Sequence, residues 1–249
     1  MNGMELIEPI DAATRVVDSR FPTCRVAFLS GSVLSSSRTP TSDLDIVVVL
    51  DGSPAPYRET IRDHGWIVEL FVHTRESLRY FYDRELQQRR CTLATMCAGG
   101  TMLHGNDHEG TDIQTEAQGI IDTGPAALSS DELNQSRYRL TDTLDDLRGT
   151  ADPVEMAFIA GHLLANAGEL VLLSQRRWTG QGKWLARHLT EAPGDFDGLL
   201  TRGVQVLLAT GDKQPMIDAV GAVLDLVGGP LTASYRASGP VDPERGDPE

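Results

Sequence analysis

The chain has 249 residues, 40% hydrophobic and 23% charged, a composition suited to one large globular core or two modest ones. Its formal net charge is −14, from 36 acids against 22 bases. Lys and Arg never cluster beyond a pair, which argues against a nucleic-acid partner. No apolar run approaches the roughly 20 residues that cross a bilayer, so no membrane partner is expected either.

Along the chain, residues 4–20 carry Leu6, Ile7, Ile10, Ala13, Val16 and Val17 at helical spacing, and Phe21-Pro22 ends that helix. Acids are mixed into this segment and it has no cationic lead, so it does not read as a signal peptide. Three segments of strand character follow: Arg25–Leu29, Asp43–Leu50 and Trp66–Val72. Tyr57–Asp63, closed by Gly65, is expected to be a short helix. Arg75–Met96 is expected to be one long helix, with Leu78, Phe81, Tyr82, Leu86 and Leu93 on a broad face. Thr101–Gly105 reads as a short edge strand. Asn106–Ser130 is polar and reads as a connecting loop holding a domain boundary.

Everything beyond reads as helix: Asp131–Leu147, Pro153–Arg177, Lys183–Thr190, Asp195–Ala209 and Pro215–Val227. Ser130 and Leu133 do not make a full capping box at the first of these. The expected architecture is α+β, with a small mixed β-sheet and flanking helices over residues 1–125. An all-α helical bundle follows over 126–236, and a disordered Pro/Gly-rich tail over 237–249. Cys24, Cys91 and Cys97 form no CxxC pair and read as small buried hydrophobes, which suits a reducing cytoplasm.

The chemistry concentrates around the second strand. Asp43 and Asp45 are one residue apart, so in a strand both carboxylates point to one face while Leu44 and Ile46 point to the other. Two acids running into the apolar segment IVVVL are costly unless neutralised, and the common neutraliser is a divalent cation with oxygen ligands. Glu69 repeats the anomaly between Val68 and Leu70. If its strand neighbours the second, it completes a three-carboxylate cup of the kind that holds two magnesium ions about 4 Å apart in phosphoryl transfer. Gly31-Ser32, directly after the first strand, offers a close backbone approach and N–H groups to a phosphate. Ser42 and Arg38 are secondary phosphate contacts. Singly, each signal has a plain alternative: a turn, an exposed acid pair, an acid on a solvated strand face. Together they are far more specific.

The run LSGSVLSSSRTPTSDLDIVVVL resembles the hallmark of the DNA polymerase beta-type nucleotidyltransferase superfamily. The matching features are an apolar strand, Gly-Ser, an eleven-residue step from Ser32 to Asp43, and Ser-Asp-hydrophobic-Asp. Val68–Leu70 is similar to its third-acid strand, and the match covers about residues 21–73. The layout of a small α/β domain before a helical bundle resembles the aminoglycoside and lincosamide nucleotidyltransferases. That resemblance implies Gly31 and Ser32 on a triphosphate, and Asp43, Asp45 and Glu69 on two Mg2+ ions with ATP or another NTP as co-substrate. It further implies transfer of a nucleoside monophosphate to a hydroxyl of a small molecule, aminoglycoside-like given the acidic charge.

In the helical half, Lys183 of GQGKW is the choice for a cation on the triphosphate, with Trp178 or Trp184 flanking base or acceptor. GQGKW is not a Walker A loop, because Trp follows the lysine. Family members use a carboxylate as general base toward the acceptor. Glu169, on the apolar segment ANAGELVLL, is preferred here over Asp142, Asp145 and Asp146. HGNDHEG at 104–110 has H-x3-H spacing but reads as a polar loop, and His73 reads as structural. Two further functions fit the same residues: adenylylation of a protein, as in antitoxin-type enzymes, and non-catalytic nucleotide sensing. The sequence is compatible with an oligomer.

Overall fold

The computed structural model describes residues 7–36, 38–233 and 235–237. The chain divides into two units, Met1–Gly124 and Pro125–Glu249. The expected tail lies outside the described residues except for Ala237, as do residues 4–6 of the expected first helix.

The first unit is built on a five-stranded mixed sheet of β1 (Val26–Ser30), β2 (Leu44–Leu50), β3 (Tyr57–Asp63), β4 (Trp66–Thr74) and β5 (Thr101–Gly105). The strand order is β3-β4-β2-β1-β5, with β2 and β4 parallel and every other pair antiparallel. Pro9 starts helix α1 (Pro9–Arg20), where its missing N–H costs nothing. α1 buries Ala12, Ala13, Val16 and Val17 against Leu29, Ile46, Val48 and Leu70 on one face of the sheet. The opposite face presents Val26, Phe28, Val47 and Val49, all fully buried. It is covered by α2 (Arg75–Gln87), α3 (Thr92–Ala98) and α4 (Asp107–Thr123).

Three expectations are corrected here. Tyr57–Asp63 is a strand, not a helix: its burial alternates strictly, and it joins β4 through a two-residue turn. That turn is His64-Gly65, with φ of 47° and 85°, the primed geometry whose twist matches antiparallel strands. Arg75–Met96 is two helices, because the polar run from Gln87 to Arg90 has nothing to bury and Arg89 turns left-handed at φ 54°. The Glu85 carboxylate accepts the Leu93 N–H at the start of α3. The polar stretch after Asn106 is largely α4. Asn106 caps it by accepting the His108 N–H at 2.9 Å, and a narrow stripe of Gly110, Ile113 and Ala117 is all it buries.

The second unit comprises α5 (Ser130–Gly149), α6 (Pro153–Ser174), α7 (Lys183–Thr190), α8 (Phe196–Thr210) and α9 (Gln214–Leu226). The cap of α5 is Ser129, one residue earlier than read from sequence, and with Glu132 it forms the complete capping box that Ser130 lacks. Helix α6 contacts α5, α7, α8 and α9, and its Leu163, Ala167, Leu170 and Val171 lie at the centre of the core. The expectation that no segment approaches spanning length needs correction for α6. It has 22 residues, an 18-residue window of which has a mean hydropathy of 1.6, long and apolar enough by length and composition. Glu155, His162 and Glu169 break the run in sequence, while a central bundle helix, packed by neighbours on several sides, needs apolar residues around much of its circumference.

Candidate active site

Parallel pairing of β2 with β4 sets Asp45 directly beside Glu69, and antiparallel pairing sets Ser30 of β1 on the other flank of Asp45. Directly paired residues on adjacent strands share a face, about 4.8 Å apart. Asp43 precedes β2 by one residue and, two positions before Asp45, returns to the same face. A carboxylate oxygen from each of Asp43, Asp45 and Glu69 lies within 4.8 Å of the others, and all three residues are half-buried. No other group of three or more His, Cys, Asp or Glu side chains converges in this way among the described residues.

Gly31 closes the cluster from the β1 side. Its backbone sits at φ 89°, ψ −173°, a region essentially restricted to glycine. A Cβ there would fall 2.1 Å from Asp45 Oδ2, so the chain passes against the carboxylate where a side chain would stand. Ser32–Leu34 form a single 3-10 turn, with the Leu34 and Ser35 N–H groups bonded back to Gly31 and Ser32. Ser32 is buried, and its hydroxyl meets that of Ser42 at 2.9 Å. Ser42 Oγ also accepts the Thr39 N–H at 2.9 Å, which ties the connecting loop to the start of β2. Gly31, Ser32 and Ser42 thus adjoin the three acids.

The other residues singled out in the sequence have their own local surroundings. The Arg38 guanidinium stacks over the Trp66 ring, 5.2 Å from its centroid, and Trp66 belongs to the α1 side of the sheet. Lys183 and Glu169 belong to the second unit, Lys183 exposed at the start of α7 and Glu169 half-buried on α6. The Trp184 ring is approached by Lys183 Nζ at 5.9 Å and by Arg187 at 4.8 Å. Asp142, Asp145 and Asp146 are exposed on α5, and Asp145 pairs with Arg148 at 2.6 Å. The histidines of HGNDHEG do not converge on a metal: His104 faces Asp18 at 3.8 Å, and His108 meets Asp112 at 3.1 Å.

The residue that sequence reasoning missed is Arg58. From β3 it donates to Glu69 Oε2 at 2.6 Å and lies over the Phe71 ring, 4.7 Å from its centroid. The expectation that cations from solution alone keep these acids charged is therefore incomplete. Magnitudes decide how much remains. Like charges at this separation repel by about 3–4 kcal/mol per pair at an effective dielectric constant of about 20. An ion pair with its arginine as exposed as Arg58 contributes at most about 1 kcal/mol. The set of hard oxygen donors fits a small divalent cation such as Mg2+, and Arg58 alone does not balance it.

No family model matches the sequence, and no curated protein is similar to it in sequence. Among solved structures, the chain is similar to a nucleotidyltransferase-like protein from Exiguobacterium sibiricum 255-15 at 14% identity and a TM-score of 0.45. The likeness covers 86% of this chain and 73% of that one. So loose a superposition leaves function to be argued from the residues themselves.

Proposed function

We propose that this protein is a metal-dependent nucleotidyltransferase, moving AMP from MgATP to a hydroxyl of a small-molecule acceptor. One observation carries the reading: Asp43, Asp45 and Glu69 converge within 4.8 Å beside a glycine whose backbone is pressed against Asp45. Bringing three acids together on two neighbouring apolar strands is costly unless their charge has a use. The cluster would hold Mg2+, which when bound lowers the pKa of the attacking hydroxyl and neutralises charge gathering on the leaving pyrophosphate. Gly31 and Ser32 accommodate the triphosphate through backbone N–H groups, and Ser42 holds the Ser32 hydroxyl in place. The family resemblance offers Lys183 as the candidate point charge for phosphate and Glu169 as the candidate base. The acceptor oxygen forms its bond to the α-phosphorus as the bond to pyrophosphate breaks, and the hydroxyl proton passes to the base.

The Arg58–Glu69 ion pair favours a second reading, a nucleotide-binding regulator without turnover, since it satisfies part of the site from within the protein. Mass spectrometry after incubation with MgATP and a panel of alcohols separates the two. A mass gain of one AMP on a small molecule, abolished in Asp45→Asn, is the expected result. A gain on protein instead would make the acceptor a polypeptide. Nucleotide binding with no transfer to either would leave only the regulator.

A further inference from the structure

A cavity of about 300 Å³ opens on the same sheet face as the acids, between the β3–β4 hairpin and helices α2 and α3. Phe71, Phe81, Leu93 and Met96 are among the apolar residues of its wall. It joins the acid cluster through Arg58, which lines the cavity and bonds Glu69. Along β4, Glu69, Phe71 and His73 point to one face, so the backbone position of Phe71 in the cavity wall is about 7 Å along the strand from that of Glu69.

We propose that this cavity receives the apolar, aromatic part of the acceptor, so that the acceptor is an uncharged alcohol bearing an aryl group rather than a polycationic sugar. The inference rests on the nucleotidyl-transfer reading for the word acceptor, but on the cavity alone for the ligand's chemistry. The size and lining of the cavity support it. The volume sits at the lower bound for ligand pockets and suits one ring with its chain, not a multi-ring aminoglycoside. The one carboxylate in the wall, Glu85, has both oxygens within 3.1 Å of the Leu93 N–H, which engages it at the start of α3 rather than leaving it for an ammonium group. The one formal cation in the wall, Arg58, would repel one. His73 is buried, and desolvation lowers its pKa to about 4, so it presents a neutral ring to the cavity. That ring packs edge-on to Phe81 at 5.2 Å and reaches Ser77 Oγ at 3.2 Å. Stacked and edge-to-face partners for an incoming ring are therefore in place, and Arg58 over Phe71 marks where the ring would give way to its hydroxyl.

The test is saturation-transfer NMR with 3-phenyl-1-propanol and, separately, kanamycin as probes, on the full chain. Thr92→Trp adds bulk at the rim from an exposed position, and Phe71→Ala removes a wall ring, so that one variant answers if the other folds poorly. We expect the aryl alcohol to bind wild type and Asp45→Asn alike and to bind Thr92→Trp at least tenfold more weakly, with ATP binding unchanged. Equal binding to wild type and both cavity variants overturns the proposal, as does binding of kanamycin in preference to the aryl alcohol. Binding that Thr92→Trp abolishes, without AMP transfer to any alcohol or to protein, supports the cavity as an aryl site and overturns the nucleotidyl-transfer reading instead.

Discussion

At Gly31 two constraints coincide, a backbone conformation other residues avoid and a carboxylate oxygen where a Cβ would be. Moving the Asp45 side chain can make room for the Cβ of Gly31→Ala, but nothing relieves the positive φ. The strained backbone costs about 1–3 kcal/mol, and Asp45 must also move from its place beside Glu69. The expected outcome is a loss of AMP transfer of at least a hundredfold with the fold retained, read by steady-state rates alongside far-UV circular dichroism. An alanine variant with near wild-type rates would show that Asp45 need not stand where it does. Asp43 and Asp45 were legible in the sequence because period-two spacing fixes their face without knowledge of neighbouring strands, and Gly31 stood out by its place directly after the first strand. Glu69 was legible only on the condition that its strand lay beside β2, which the parallel register meets. Arg58 was not legible at all. Its segment was read as a helix, and the informative signal was two residues long: His64-Gly65 between an alternating segment and an apolar strand.

Among elements, those with a single strong period were read correctly from sequence: β1, β2, β4, the edge strand β5 and the α7 helix. Those misread had weak stripes or turn-dependent pairing: β3, the α2–α3 break and α4. The hairpin of β3 and β4 has a measurable consequence through His73, the buried residue near its end. Burial lowers its pKa from 6.5 to about 4. As pH falls below 6.5 the unfolded chain takes up a proton that the folded chain refuses until pH 4. The stability contributed by neutral His73 is thus whole above 6.5, declines from 6.5 to 4, and is constant below, with an upper bound of about 3 kcal/mol. Glu85, raised by its own burial, acts in the opposite sense, so the informative quantity is a difference between proteins. Urea unfolding of wild type and His73→Gln should show the advantage of wild type shrinking as pH drops through that window. A difference independent of pH would mean that His73 takes up its proton as readily in the folded protein as in the unfolded chain.

At the scale of the molecule, all three acids and the aryl cavity belong to the first unit, while Lys183 and Glu169 belong to the second. The helical unit was legible as helix from its periodicity. Its site residues were chosen by family resemblance and local context, without the geometric constraint that the strand acids supplied. The charge of −14 complicates any cation experiment, because such a surface gathers Mg2+ everywhere. Specific binding has a different signature. A cation that binds only the folded cluster stabilises by about 2.7 kcal/mol at a hundred times its Kd, whereas diffuse screening acts on every surface acid. For a chain of this length, that gain is roughly 5–10 °C in Tm, concentrated in the transition of the unit that binds. Scanning calorimetry in Mg2+ should show the rise in wild type, its removal by a chelator, and only the small diffuse part in Asp45→Asn. Sodium chloride at matched ionic strength should reproduce that small part in both proteins. An equal Mg2+ shift in wild type and Asp45→Asn would mean that the ions sit on the general acidic surface and that the three carboxylates are not their site.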